Sequence, residues 1–495
     1  MEEVNRKMAA GAFWMLLFKL VDRGIGLVST IILARLLIPA DFGLVALAST
    51  IIGVLELLGA FNFDLALIQN QNAGREHLDT AWTFDVIMGC VYALLLCALA
   101  FPAAQFYSDS RLEAIMYWLA IGQIMIGLSN IGIVEFRKEL DFKLEFRLLF
   151  IKRVIGFVVT VALAMALRSY WALVAGTLVS RFSGMVITYL LHPYRPRFCL
   201  SKRHELFHFS KWLLVNNVLF FITNKFSNFV IGKMVGMHAL GIFTVSYELA
   251  NLPSTELVIP INRVLFPGFS RLSGDKSLLR KSYLEVTGVL ALFAFPIGMG
   301  LIVIAKPLVL AILGEKWIEA VPLFQLLAIN GAINAIGGNL SPACIAMGKP
   351  RILTVSTLLY VFLLIPSMIV GAKLHGLLGS VIGMVVAHLV MTPVGWFMVL
   401  SQMEVKFTDL FFEIWRSFIA SIIMGLIVYW VQDYMRIHEM ASMYYWQLFV
   451  SVFSGMVVYV LALLMILRLQ GLPNGSETKV FAFVMRTLRV KMNYR

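Results

Sequence analysis

Apolar runs of about 20 residues recur along almost the whole chain, and each is long enough to cross a hydrocarbon core ~30 Å thick. Water is absent from that core, so backbone N–H and C=O groups must pair within each segment, which an isolated run achieves only as an α-helix. Fourteen spans are predicted, near 12–36, 42–67, 82–104, 113–134, 148–167, 171–191, 211–232, 240–264, 284–305, 321–345, 352–372, 376–400, 413–431 and 446–467. The least regular are 211–232 and 240–264, which carry Asn, Lys, Glu and Pro. Composition agrees with a membrane solvent. Of 495 residues, 60% are hydrophobic and 14% charged, against about 45–50% and about 25% in soluble domains. The expectation is an all-α polytopic membrane protein. Met1 to Met8 lack the short apolar region and small-residue cleavage site of a signal peptide.

Lys and Arg set the orientation. With the N-terminus inside, cytoplasmic segments hold 28 of the 41 basic residues, clustered at 137–153, 195–211, 271–281 and 468–495. The opposite loops hold Arg111, Arg168, Lys233, Lys306, Lys316, Lys373 and Arg436. That bias follows the positive-inside rule and places both termini in the cytoplasm. It also accounts for the net charge of +13 through dispersed loops, without a nucleic-acid surface. Cys90 and Cys97 share a helix face about 10 Å apart along the axis, too far to bridge. Neither a disulfide nor a metal site is expected.

The polar stretch His192 to His208 divides six spans from six, with two more following. This gives an N-terminal lobe (1–194), a cytoplasmic linker (195–208), a C-terminal lobe (209–402), two further spans (403–468) and a tail (469–495). Sliding the second half back by 198 residues aligns Arg35 with Lys233, Gly43 with Gly241, Leu44 with Ile242 and Asp64 with Asn262. It also matches the stripe Lys19, Gly26, Thr30 to Asn217, Asn224, Asn228. Internal repeats of this kind are common in secondary transporters, with substrate bound at the repeat interface. In the tail, Phe481, Val484, Met485, Leu488 and Met492 line one face and Arg486 and Arg489 another, which suits a helix lying on anionic lipid.

A Lys, Arg or Asp at the centre of a span costs about 2.5–3.5 kcal/mol on insertion scales, so charges there carry information. Lys19, Asp22 and Arg23 lie on one face of the first span; Arg181, Lys225 and Arg263 lie in later ones. Glu56, Asp64, Asp85, Glu248 and Glu256 are available to pair with them. The cationic surplus suits an anionic passenger such as a phosphate-bearing headgroup. Lys19, Arg23, Arg181, Lys225 and Arg263, with Asn217, Asn224 and Asn228, are therefore candidate substrate contacts. Glu56, Asp64 and Asp22 are candidates for ion coupling or gating. Pro253, Pro260 and Pro267 are expected to kink the eighth span. Asn330, Asn334, Gly337 and Ser341 form a stripe that fits a lumen or a helix contact equally well, and Gly379 with Gly383 reads as a close helix contact.

No G-x-x-x-x-G-K-[ST] loop, H-E-x-x-H or G-x-S-x-G motif is present, which disfavours an ATP-driven pump and hydrolytic catalysis. The expectation is a transporter without a catalytic site or bound cofactor.

Several stretches resemble one family. They are Ala34-Arg35-Leu36-Leu37, Asp41-Phe42-Gly43-Leu44, Phe61-Asn62-Phe63-Asp64-Leu65-Ala66-Leu67-Ile68-Gln69, Leu78-Asp79-Thr80-Ala81 and Phe136-Arg137-Lys138-Glu139-Leu140-Asp141-Phe142-Lys143. The chain resembles the Wzx-type flippases, polysaccharide exporters of the multidrug/oligosaccharidyl-lipid/polysaccharide superfamily, and is most similar to colanic-acid and related capsule exporters. The resemblance implies two pseudo-symmetric six-helix lobes around a central cavity, two C-terminal helices and alternating access. It implies an undecaprenyl-pyrophosphate-linked oligosaccharide as cargo, passed from the cytoplasmic to the periplasmic leaflet of the bacterial inner membrane. A proton or sodium gradient is the energy source thought to serve some relatives, and the polymerase and export machinery are the expected partners besides membrane lipid. Two other readings are an ion-coupled drug or cation antiporter of the same superfamily and a membrane glycosyl-transfer enzyme. The first favours an acidic, aromatic cavity, and the second needs catalytic residues on an outer face.

Overall fold

The apolar runs fold as helices wherever the computed structural model describes them. It describes residues 2–58, 67–68, 73–202, 221–251, 265, 268–272, 274–437, 444–471 and 475–479. The long helices are α1 (Glu2–Leu36), α2 (Pro39–Leu58), α3 (Arg75–Tyr107), α4 (Arg111–Gly127), the short α5 (Val134–Lys138), α6 (Phe142–Leu167) and α7 (Trp171–Leu191). There follow α8 (residues 221–234), α9 (Met237–Ala250), α10 (Lys276–Ile312), α11 (Ala320–Ile336), the short α12 (Leu340–Ala346), α13 (Pro350–Leu400), α14 (Phe407–Ile437) and α15 (Tyr444–Leu469). Among the described residues, nine helices are long and apolar enough to cross a membrane, or ten when the bent stretch 111–138, with its 60° break, counts as one span. α1 does not meet that criterion because Lys19, Asp22 and Arg23 crowd its middle. Large apolar side chains face outward, Phe362 at 80% and Trp430 at 76% exposure, as lipid-facing positions require.

Local chemistry sets the breaks. Asp275 caps α10 by accepting from the N–H groups of Ser277 and Leu278. Gly376, at φ 57°, interrupts α13 together with His375, so the expected spans 352–372 and 376–400 form a tight hairpin. A left-handed conformation of this kind favours glycine.

The chain divides into two compact units, Met1–Ile242 and Phe243–Arg495. The division falls beyond the linker expected at 195–208, and packing explains why. A Cβ on Gly43 of α2 would lie 1.9 Å from the Met237 carbonyl oxygen, and one on Gly241 would lie 1.7 Å from that of Pro39. The glycines matched by the internal repeat thus touch each other and hold α9's start against α2. The Asn228 amide adds a buried hydrogen bond to Thr50 Oγ1 at 2.8 Å.

The linker itself is fixed to the first unit as far as Lys202. Asp79 Oδ1 accepts from Tyr194 Oη at 2.5 Å and from Arg197 N at 2.9 Å. Thr83 Oγ1 accepts from Cys199 N at 2.9 Å and Thr80 Oγ1 from Lys202 N at 3.4 Å. The Leu78-Asp79-Thr80-Ala81 stretch therefore works as a polar ladder for a segment that makes no helix of its own. The expected tail helix, Arg263, Asn217, Asp64, Glu256 and the prolines 253, 260 and 267 lie outside the described residues.

Candidate functional site

Small residues let α6 and α7 approach closely enough to enclose charge. A Cβ on Gly156 would meet the Ser180 side chain, one on Gly176 the Thr160 hydroxyl and one on Gly184 the aliphatic stem of Lys152. Between these contacts lies a cavity of about 300 Å³ lined by Lys152, Arg153 and Arg181, with Ser29 of α1, Thr177 and Ser180 among its hydroxyls. Arg153 pairs with Asp22 of α1 at 2.8 Å, and a Cβ on Gly26 would meet its guanidinium. α1 thus presents the face carrying Asp22 and Gly26 to α6.

The donors exceed the acceptors here. Arg181 Nη1 and Lys19 Nζ are buried and find no hydrogen-bond partner among the described residues. A buried unpaired donor costs about 1–3 kcal/mol, more when charged, so these groups suit an anion that completes their bonding. Lys152 feels the like charge of Arg181, which raises the same demand.

A second cavity, of about 390 Å³, lies among α2, α3, α4 and the start of α6 and is acidic and aromatic: Glu56, Asp85, Tyr92 and Glu145 line it with Gln123 and Arg137. The Gln123 amide donates to Glu56 at 3.0 Å, and Arg137 binds Glu145 at 2.7 Å. Arg181 joins the two cavities. Its guanidinium presses on Gly122, next to Gln123, and lies within electrostatic reach of Glu56.

Of the sequence candidates for substrate contact or ion coupling, Arg181 lines the first cavity, Asp22 pairs with Arg153 on its wall, and Glu56 lines the neighbouring cavity. Arg23 is half-buried on α1. Lys225 and Asn224 are exposed on α8, whereas Asn228 spends its amide on Thr50 inside a helix contact. Two functional candidates were missed. Lys152 and Arg153 were counted with the cytoplasmic run 137–153, yet α6 begins at Phe142 and carries both inward. The signal available was their spacing to Gly156 and Thr160, one and two turns on.

Residues 32–322 match the model of a family described as "Polysaccharide biosynthesis protein". The chain belongs to that family. Among family-like relatives, it is 23% identical over 428 residues to the lipopolysaccharide biosynthesis protein WzxC of Escherichia coli (strain K12), covering 85% of this chain and 86% of that one. It is 25% identical over 458 residues to the succinoglycan biosynthesis transport protein ExoT of Rhizobium meliloti (strain 1021), covering 91% and 92%. In fold it resembles the lipid II flippase MurJ in its inward closed conformation, with a TM-score of 0.71, 11% identity and coverage of 91% and 98%. An inward-facing multidrug resistance MATE transporter also shares the fold, with a TM-score of 0.62, 15% identity and coverage of 77% and 94%. The family of polysaccharide biosynthesis proteins thus holds a multi-pass helical membrane protein whose first unit is charged inside.

Proposed function

We propose that this chain is a Wzx-type flippase that passes an undecaprenyl-pyrophosphate-linked oligosaccharide from the cytoplasmic to the periplasmic leaflet by alternating access. The observation that carries the reading is the cavity of Lys152, Arg153 and Arg181, with a guanidinium N–H left unpaired inside it. A pyrophosphate brings several strong acceptors and negative charge, which is the complement of three cations in a low-dielectric site. Lys19 and Arg23 of α1 extend the cationic path, and Lys225, Arg263, Asn217 and Asn224 are further contacts in the proposal. Both termini lie in the cytoplasm, the full chain has fourteen spans in a six, six and two plan, and the polymerase is the expected downstream partner.

The acidic cavity serves ion coupling. Glu56, held by Gln123 and facing the field of Arg181, exchanges a proton or sodium ion as substrate binding changes that field. Asp22, paired with Arg153, links the cation set to α1, and Asp64 is the second carboxylate candidate. The names of the relatives and the resemblance of the motifs support the same substrate class.

Purified protein in proteoliposomes carrying a fluorescent lipid-linked oligosaccharide tests the reading. Movement of the lipid between leaflets, without extrusion of lipophilic cations, is the expected result. Extrusion of organic cations without lipid movement would favour the drug antiporter instead.

A further inference from the structure

The second unit holds an ionisable pair that the flippase reading does not use. The sequence has eight histidines. Of the five in described residues, His77 and His238 open helices, His192 follows one and His375 sits at the break in α13. His388 alone among them lies near the middle of a span, in the segment 377–400. Its Nδ1 is 3.0 Å from the hydroxyl oxygen of Tyr360, and the rings lie 4.6 Å apart at 56°. Tyr360 is likewise near the middle of its own segment, 350–374.

The hairpin brings these two together by register. A Cβ on Gly379 would lie 2.0 Å from the Gly371 carbonyl oxygen, and one on Gly383 would lie 2.3 Å from that of Ser367. Further from the break, a Cβ on Gly395 would lie 3.2 Å from Ser356 Oγ. These contacts fix an antiparallel alignment in which 371 faces 379 and 367 faces 383, so 360 falls opposite 390, within one helical turn of 388. The glycines bring the two backbones close together, within reach of a side-chain hydrogen bond between the segments.

An ionisable group at mid-span is expensive to keep there and marks function by default. An unperturbed histidine changes charge between about pH 5 and about pH 8, and burial moves that change to lower pH. We infer that His388, with Tyr360 as its hydrogen-bond partner, is a proton-binding site of the second unit that is loaded and emptied during transport. The inference rests on the transport reading and adds a second candidate site to the carboxylate proposed there for ion coupling.

When His388 is neutral, Nδ1 either donates to Tyr360 or accepts from its hydroxyl. On protonation both ring nitrogens carry hydrogen, Nδ1 donates to the phenol oxygen, and the phenol proton turns away. No group other than the proton is transferred. Among the described residues, Tyr247 of α9 lies within electrostatic reach of Tyr360, and Glu248 lies on the same helix. The packed helix α11 brings no titratable side chain, α12 brings only Cys344, and Arg351, Lys373 and His375 sit toward the ends of the hairpin's own segments.

The test has two arms on the full-length protein. In lipid nanodiscs, ¹⁵N-histidine spectra recorded from about pH 3.5 to about pH 8 should contain one titrating signal that His388→Gln removes and Tyr360→Phe shifts. In proteoliposomes, an imposed pH gradient should accelerate lipid-linked oligosaccharide movement in the wild type. His388→Gln should lose the acceleration, while Tyr360→Phe, which preserves ring packing, should weaken it. A His388 signal that does not titrate in this window overturns the proton site, whether or not the lipid moves. A gradient response unchanged in both variants overturns its role in transport. Failure of the wild type to move the lipid while His388 still titrates would reject the flippase reading and leave the proton site standing.

Discussion

In the first unit α1, α6 and α7 carry Lys19, Asp22, Arg23, Lys152, Arg153 and Arg181 well inside their lengths, whereas the second unit keeps long central stretches of its described helices free of formal charge. Residues 286–305, 320–348, 352–372, 374–403, 417–432 and 444–467 contain no Asp, Glu, Lys or Arg. The second unit buries neutral polar groups instead: Asn339 donates to Thr287 at 2.8 Å, and His388 meets Tyr360. One cluster of its charges lies near one end of α10 and α14, where Arg416 binds Glu477 at 3.2 Å, Ser476 donates to Glu413, and Lys479 pairs with Glu285. Glu477 is fully buried in that cluster. The difference teaches that burying charge is not itself a sign of a substrate site. In the second unit each cation of the cluster meets a carboxylate, while in the first unit cationic donors exceed their partners.

The largest effect should come from the hairpin contact that brings the His388 and Tyr360 segments together. Gly383→Val puts side-chain atoms where the Ser367 carbonyl lies, and overpacking of this severity should cost more than about 3 kcal/mol. Folded protein in the membrane, measured by fluorescence size exclusion, should fall to background.

Next come two arginines that separate the units. Arg181→Ala should lower export about tenfold to a hundredfold, the equivalent of one or two lost charge-assisted hydrogen bonds, with normal protein level and melting temperature. Arg416→Ala should do the reverse. It leaves Glu477 buried without its partner at a cost of about 3–5 kcal/mol, lowering melting temperature while substrate affinity holds. If Arg181→Ala lost stability and kept export, the contrast between the units would be broken.

A smaller effect is expected at Glu56. Glu56→Gln keeps the bond with Gln123 geometrically available and removes the charge, so downhill lipid movement should persist while acceleration by a proton or sodium gradient disappears. A wild type indifferent to both gradients would remove the coupling role. The smallest effect is at the surface. Lys276 binds Glu404 at 2.6 Å and holds that carboxylate below its usual range. Stability from a depressed carboxylate is present at neutral pH and lost as pH falls through the folded-state value. Both groups are exposed, so Lys276→Ala should leave export and melting temperature unchanged at neutral pH.

Much of the fold was legible because a membrane span needs about 20 apolar residues and the sequence repeats that length. The gap left between the expected spans 352–372 and 376–400 coincides with the interruption at His375 and Gly376. The direction in which a polar residue points was not legible. Asn228 belongs to a stripe that fits a lumen, yet Thr50, distant in sequence, takes its amide. Lys152 and Arg153 read as a basic flank because charge at a helix start satisfies the positive-inside rule, and only the Gly156–Ser180 contact turns them inward. His388 carried no local pattern at all, since its partner is set by hairpin register. By contrast, Gly379 and Gly383 signalled their own contact, because small residues at this spacing have few other uses.

Binding of undecaprenyl pyrophosphate to the purified protein, followed by native mass spectrometry in detergent, tests the anion site apart from any transport step. Wild type and Arg416→Ala should bind alike, while Arg181→Ala and Lys152→Ala should each bind at least about tenfold more weakly. Undecaprenol, which lacks the phosphates, should show no such difference among the four proteins. Equal affinity of Arg181→Ala, Lys152→Ala and wild type for the pyrophosphate lipid would contradict the assignment of the first unit's cations to the cargo.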